Sequence, residues 1–138
     1  MSHENVEALK RLSALEEAGD EDGAWAYFHP DVEWRLINAG PLSESGRGID
    51  SLRKWLSPTD NPLVRAGVGV MGVGPADSID ITDAGDYVIS VNAIAGTDIE
   101  EASVYEFRDG KVLRCTHGYP SKADALKAVG MGGVDFTA

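Results

Sequence analysis

Near residue 63 the spacing of the hydrophobic residues changes to two and stays there for most of the remaining chain, and that change decides what it can fold into. Before it, apolar residues recur at helical intervals. Val6, Leu9, Leu12 and Leu15 fall every three residues, with Ala8 and Ala18 widening the stripe, so residues 3–18 are expected to form an amphipathic helix. Ser2 is placed to cap it and Gly19 to stop it. Asp20 caps a second, short helix on which Trp25 and Phe28 share a face, and Pro30 ends it. Residues 31–37 then alternate as a strand, with Val32, Trp34 and Leu36 on one side and Glu33 and Arg35 on the other. Residues 38–47 read as a polar loop. Ile49, Leu52 and Leu56 mark a third helix that stops before Pro58. After residue 63 the period is two. Strands are expected near 63–73, 78–82, 86–95, 99–108 and 111–119, with turns at Asp83-Ala84-Gly85, Gly96-Thr97 and Asp109-Gly110. A final helix opens on Ser121-x-x-Asp124, a capping box in form, buries Ala125, Leu126 and Val129, and stops at Gly130. Residues 131–138 are a Gly-rich tail carrying Val134 and Phe136. Helices followed by a meander imply an α+β domain over residues 1–130, with the sheet wrapped on the helices.

Charge narrows the function. Twelve Lys and Arg against 23 Asp and Glu leave a net charge of −11. A nucleic-acid partner requires a basic footprint, and docking on an anionic membrane requires the same, so neither is expected. No apolar run approaches the ~20 residues of a spanning helix. The N-terminus lacks the basic and apolar regions of a secretion signal, and the lone Cys115 cannot form an internal disulfide, so a cytoplasmic protein is expected. No phosphate-binding loop or dinucleotide fingerprint is present, and no cofactor is expected.

Several segments carry a resemblance when taken in order. They are Glu17-Ala18-Gly19-Asp20, Phe28-His29-Pro30-Asp31-Val32-Glu33-Trp34-Arg35, Gly46-Arg47-Gly48-Ile49, Asp83-Ala84-Gly85-Asp86, Phe107-Arg108-Asp109-Gly110-Lys111-Val112, and the stretch from Tyr119 to Gly130. In this order and spacing the chain resembles the nuclear transport factor 2-like superfamily, and in particular its SnoaL-like branch. The resemblance implies a cone. A curved mixed or antiparallel sheet wraps three N-terminal helices, with a C-terminal helix added. It also implies a pocket and a two-fold dimer. The superfamily holds polyketide cyclases, steroid isomerases, epoxide hydrolases, dehydratases and many non-enzymes, so the reaction has to be argued from the site. At the steroid-isomerase positions this chain has Leu12 for the helical tyrosine, Leu36 for the catalytic aspartate and Ser103 for the proton-donating aspartate.

The register of the strands selects the pocket residues. A three-residue loop with Gly110 left-handed would match apolar with apolar residues and set Tyr105 against Leu113, Ser103 against Cys115 and Glu101 against His117. A Gly96-Thr97 turn would set Asn92 against Glu101, Ser90 against Ser103 and Val88 against Tyr105. Three rows result, grading from apolar to polar, with Trp34, Leu36 and Tyr119 completing the lining. Such a surface suits a small molecule. His117 is the candidate acid or base, because an imidazole titrates near neutral pH; Glu101 is its candidate partner. Asn92, Ser90 and Ser103 could bind a carbonyl or enolate, or simply satisfy one another. Cys115 could act as a nucleophile or as a small buried hydrophobe. Cys115, His117 and Glu101 have metal-ligand chemistry without a recognised spacing, and no metal is expected. Arg47 and Arg53 could reach an anionic ligand or stay in solvent. Two functions of different class fit. One is a cofactor-independent cyclase, isomerase or dehydratase acting on an apolar, oxygenated substrate. The other is a non-catalytic ligand-binding or dimerisation module. A homodimer packed sheet to sheet is expected from Val91, Ala93, Val104, Val112 and Thr116 on the outer face.

Overall fold

A computed structural model of the chain describes residues 2–38, 40–55, 78–93 and 100–130. The elements run α1 (Ser2–Glu17), α2 (Glu21–Trp25), β1 (Phe28–Leu36), a 3-10 turn (Gly40–Leu42), β2 (Glu44–Arg47), α3 (Ile49–Trp55), β3 (Ser78–Ala84), β4 (Tyr87–Ala93), β5 (Glu100–Arg108), β6 (Lys111–Tyr119) and α4 (Lys122–Gly130). The strands form one sheet in the order β2-β1-β6-β5-β4-β3. Among the described residues every neighbouring pair is antiparallel except β1 with β6, so the sheet is mixed. The expected strand over 63–73, the Gly96-Thr97 turn and the tail 131–138 lie outside the described residues.

Local chemistry explains the helix ends. Gly19 takes φ 77° just past α1, and the Asp20 N–H closes back on the Leu15 carbonyl at 2.9 Å. The Asp20 carboxylate then accepts from the Gly23 N–H at 2.9 Å and caps α2. Ser121 caps α4 as expected, accepting from the Asp124 N–H at 3.2 Å and donating to its carboxylate at 2.9 Å. Two readings of the N-terminal half need correction. Phe28 belongs to β1, because the strand already pairs with Val112 there and absorbs Pro30 in a register shift before Glu33. Residues 44–47 are an edge strand paired antiparallel with β1. Glu-Ser-Gly-Arg has no apolar alternation by which an edge strand could be recognised.

The two faces of the sheet carry separate cores. On one, Ala8, Leu9 and Leu12 of α1 and Leu52 of α3 pack with Phe28, Val32, Trp34, Val88, Tyr105, Phe107, Val112 and Cys115. On the other, Ala125 of α4 packs with Ile89, Val91, Ala102, Val104 and Tyr119. Alternate residues of β4 and β5 serve opposite cores, as the period of two requires. Lys122 ties α4 to β3 through Asp80 at 2.6 Å, and Thr82 donates to the same carboxylate at 2.8 Å. That pairing holds the Asp80 carboxyl below its ordinary pKa; the Lys122 hydrogen bond is the largest cause and the Thr82 one the next. Leu126, expected in this core, is instead exposed, because Ala125, Ala128 and Val129 form the packed face of α4.

This arrangement corrects the outer-face patch. α4 covers Val91 and Val104 from within the chain, and Val112 turns to the core under α1 and α3. The apolar surface that motivated a sheet-to-sheet dimer is therefore largely filled. The rest of that face carries charge. Glu33 lies between Arg47 and Arg114, at 3.2 Å from Arg114, which reaches Glu106 at 3.5 Å.

Candidate functional site

The site begins with a turn. Asp109 and Gly110 both have positive φ, 53° and 78°, so they form a two-residue type I′ turn. This sets Arg108 against Lys111 and Phe107 against Val112. The next pair is Glu106 with Arg114, which makes Leu113 an extra residue, a bulge. From there Tyr105 faces Cys115, Val104 faces Thr116 and Ser103 faces His117. The expected three-residue loop is thus wrong, and so are the pairings of Tyr105 with Leu113, Ser103 with Cys115 and Glu101 with His117. From Arg114 to His117 the side chains keep their expected face all the same, whereas Val112, before the bulge, does not. Loop and bulge displace the two-residue register by one residue in opposite directions. The true pairing therefore differs from the expected one by two, which preserves sidedness.

A second bulge follows. Ala102 pairs with Tyr119, leaving Gly118 unmatched at φ 111°. A Cβ on Gly118 would run into the Ile37 carbonyl oxygen, so only glycine fits. Ile37 donates its N–H to the His117 carbonyl at 2.9 Å, and the Asn38 side-chain amide donates to the Gly118 carbonyl at 3.1 Å. The bulge reverses sidedness after His117. Tyr119 therefore lies in the α4 core and does not line the His117 face, contrary to expectation.

His117 is buried, with 3% of its surface exposed. Its Nδ1 is 2.9 Å from the Ser103 Oγ. Its Nε2 is also buried and has no hydrogen-bond partner among the described residues. Aromatic rings surround the imidazole. Tyr105 meets it edge-on at 5.7 Å between centroids, and Trp55 lies tilted at 5.8 Å. Trp55 stacks on Trp34 at 4.6 Å. Trp34 is fixed in turn by donation from its Nε1 to the Ser51 Oγ at 3.1 Å and by Gly46, where a Cβ would strike the indole. Leu36 is the β1 residue beside His117, and it is buried too. Charging the imidazole here would cost its hydration, and burial pulls the His117 pKa down to about 4. The ring is neutral at pH 7.

The remaining candidates fall into place around this pair. Ser90 faces Ser103 across β4 and β5, as expected, and is buried. Asn92 faces Glu101 along the backbone, as expected. Glu101 alternates with Ser103 and Tyr105 onto the His117 face and is half-buried. Burial is the cause that raises its pKa and the cause that lowers that of His117. Cys115 is buried between Trp34 and Tyr105 in the register, with its thiol pushed up to about 12, where no thiolate forms at neutral pH. Among the described residues no group of three or more His, Cys, Asp or Glu side chains is placed to hold a metal. Arg47 pairs with Glu33, and Arg53 lies 5.1 Å over the Trp25 ring. Trp55 and Ser51 stand outside the candidates that the sequence offered. Trp55 follows Leu52 by three residues on α3, which was the available signal that it points to the sheet.

No family model and no curated protein matches the chain. Solved structures do. An NTF2-like protein of unknown function from Burkholderia xenovorans superposes with a TM-score of 0.56 at 24% identity, covering 88% of this chain and 89% of its own. TerC co-crystallised with polyporic acid gives 0.57 at 20% identity, covering 84% and 91%. A candidate polyketide cyclase from Sinorhizobium meliloti gives 0.53 at 14% identity, covering 80% and 93%. At these identities the likeness defines the fold: the chain has the nuclear transport factor 2-like architecture. No helix among the described residues is long and apolar enough to cross a membrane.

Proposed function

We propose that the protein binds an apolar, oxygen-bearing small molecule on the helix-covered face of its sheet. There it carries out cofactor-independent acid–base chemistry of the cyclase, isomerase or dehydratase class. One observation carries the reading. His117 Nε2 is a buried polar atom among Trp34, Trp55, Tyr105 and Leu36 with no partner among the described residues. Leaving such an atom unmet costs about 1–3 kcal/mol, which a ligand oxygen would recover. Ser103 orients the ring. Glu101 supplies a second ionisable group on the same face, its pKa raised by burial. Ser90 extends the polar row. A neighbour co-crystallised with polyporic acid and another that is a candidate polyketide cyclase support polyketide-like compounds as the first to try.

A non-catalytic ligand-binding module is the second reading, and it has an observation of its own. With a pKa of about 4, His117 carries almost no proton at pH 7 and is a weak base. A thermal-shift screen with polyketide-like and terpenoid ketones tests binding, since a ligand raises Tm by mass action. A shift in the wild type that disappears in His117→Asn supports the site. An equal shift in both proteins would place the ligand elsewhere. Turnover of the compound that binds then separates enzyme from module.

A further inference from the structure

The imidazole of His117 is neutral, so one of its nitrogens carries hydrogen and the other does not. Which one depends on Ser103. The Ser103 Oγ contacts His117 Nδ1 at 2.9 Å, and this is the only hydrogen bond of that hydroxyl among the described residues. Two arrangements are open. If Nδ1 carried the hydrogen and donated to Ser103, the serine O–H would have no acceptor and Nε2 would hold an unmet lone pair. Two buried polar functions would then go without partners among the described residues. If Ser103 donates to Nδ1, its hydroxyl is satisfied and only Nε2–H is left. Each unmet group carries its own desolvation penalty, so the second arrangement wins. Burial keeps the ring neutral in either case.

We infer that Ser103 holds His117 as the Nε2–H tautomer, so that this aromatic face presents one hydrogen-bond donor and selects ligands through an acceptor oxygen, a ketone or enone carbonyl. The inference rests on the proposed ligand site and narrows its occupant. It also assigns His117 a role distinct from that of a base. The ring polarises the ligand carbonyl, and Ser103 acts on the ligand only by positioning the ring. A proton taken from the carbon next to that carbonyl would go to the Glu101 carboxylate, which lies on this face.

The tautomer can be read without any ligand. In protein labelled with 15N-histidine, the two ring nitrogens of a neutral imidazole separate into a protonated and an unprotonated signal, and His117 is assigned by its loss in His117→Asn. His29 is an internal reference, because its Nδ1 accepts the Asp31 N–H at 3.0 Å and so bears no hydrogen when the ring is neutral. The wild type should give a protonated Nε2 and an unprotonated Nδ1. Ser103→Ala should populate the other tautomer, and Ser103→Thr, which keeps the hydroxyl, should restore the wild-type pattern. A protonated Nδ1 in the wild type, or a Ser103→Ala spectrum identical to it, would overturn the inference.

The ligand half has its own arm, with 2-acetylnaphthalene and its carbon isostere 2-isopropenylnaphthalene as probes. The ketone should bind about tenfold more tightly, the usual worth of one hydrogen bond to a buried donor. Equal affinity would overturn selection by an acceptor. Binding of neither probe would overturn the stated ligand class and count against the proposed function, with the nitrogen signals still deciding the tautomer.

Discussion

The two faces of the sheet treat polar atoms in opposite ways. On the α4 face, charge meets charge. Arg114 lies between Glu33 and Glu106, and Lys122 meets Asp80, which also accepts from Thr82. On the α1 and α3 face, an aromatic cluster holds one imidazole nitrogen to a serine and leaves the other unmet. The first arrangement sets each of these charges against an opposite one. The second leaves one nitrogen without a partner among the described residues, and a buried polar atom inside apolar walls is where a ligand's polar group would find its own partner. Thr116 complicates the contrast, since its hydroxyl on the α4 face is also buried without a partner among the described residues. A threonine has a plain remedy, because valine has the same shape without the hydroxyl. Histidine has no such isostere.

The sharpest way to break the comparison is at the bulge that separates the faces. Gly118→Ala puts a Cβ into the Ile37 carbonyl at a φ of 111°. It should cost about 3 kcal/mol or more, measured as a fall in the urea midpoint, because both backbone strain and a backbone clash must be relieved. Next comes acid. The folded-state pKa of His117, about 4, lies below the unfolded value of 6.5, so the unfolded chain binds the proton more readily. Stability from this group is full above pH 6.5 and is lost as the pH falls toward 4, by roughly 3 kcal/mol in all. Glu101, with a raised pKa, contributes in the opposite direction over the acid range. Denaturation midpoints at stepped pH should show the loss in the wild type and not in His117→Leu.

Smaller effects sharpen the other face. Thr116→Val should be neutral or raise stability by about 1 kcal/mol, since it removes an unmet hydroxyl and keeps the shape. A clear loss would show that this hydroxyl has a partner in solution. Arg114→Met should cost less than about 1 kcal/mol, because its ion pairs are partly solvated, and the cost should shrink in high salt.

Most of the architecture was legible because the chain's local signals agree with its fold. The α1 stripe, the Gly19 stop, the Ser121 cap and the uninterrupted register of β4 with β5 all follow from spacing and turn chemistry. What escaped was set by contacts between distant segments. Leu113 bulges so that Tyr105 can face Cys115 instead of Arg114, and no local rule marks which residue is extra. Gly118 bulges against Ile37, a residue 81 positions earlier, and that sends Tyr119 to the wrong side of the expected pocket. Between the two bulges sidedness was legible where neighbours were not. His117 fell on its expected face while its partner proved to be Ser103 instead of Glu101.

The central claim is that the His117–Ser103 pair serves a ligand more than the fold. The most direct test is the urea midpoint at pH 7 of the double variant Ser103→Ala with His117→Leu. Replacing both members removes the unmet nitrogen without leaving a new one. The account predicts stability equal to the wild type or higher by about 1 kcal/mol. A loss of several kcal/mol would contradict it, showing that the pair is a structural part of the core.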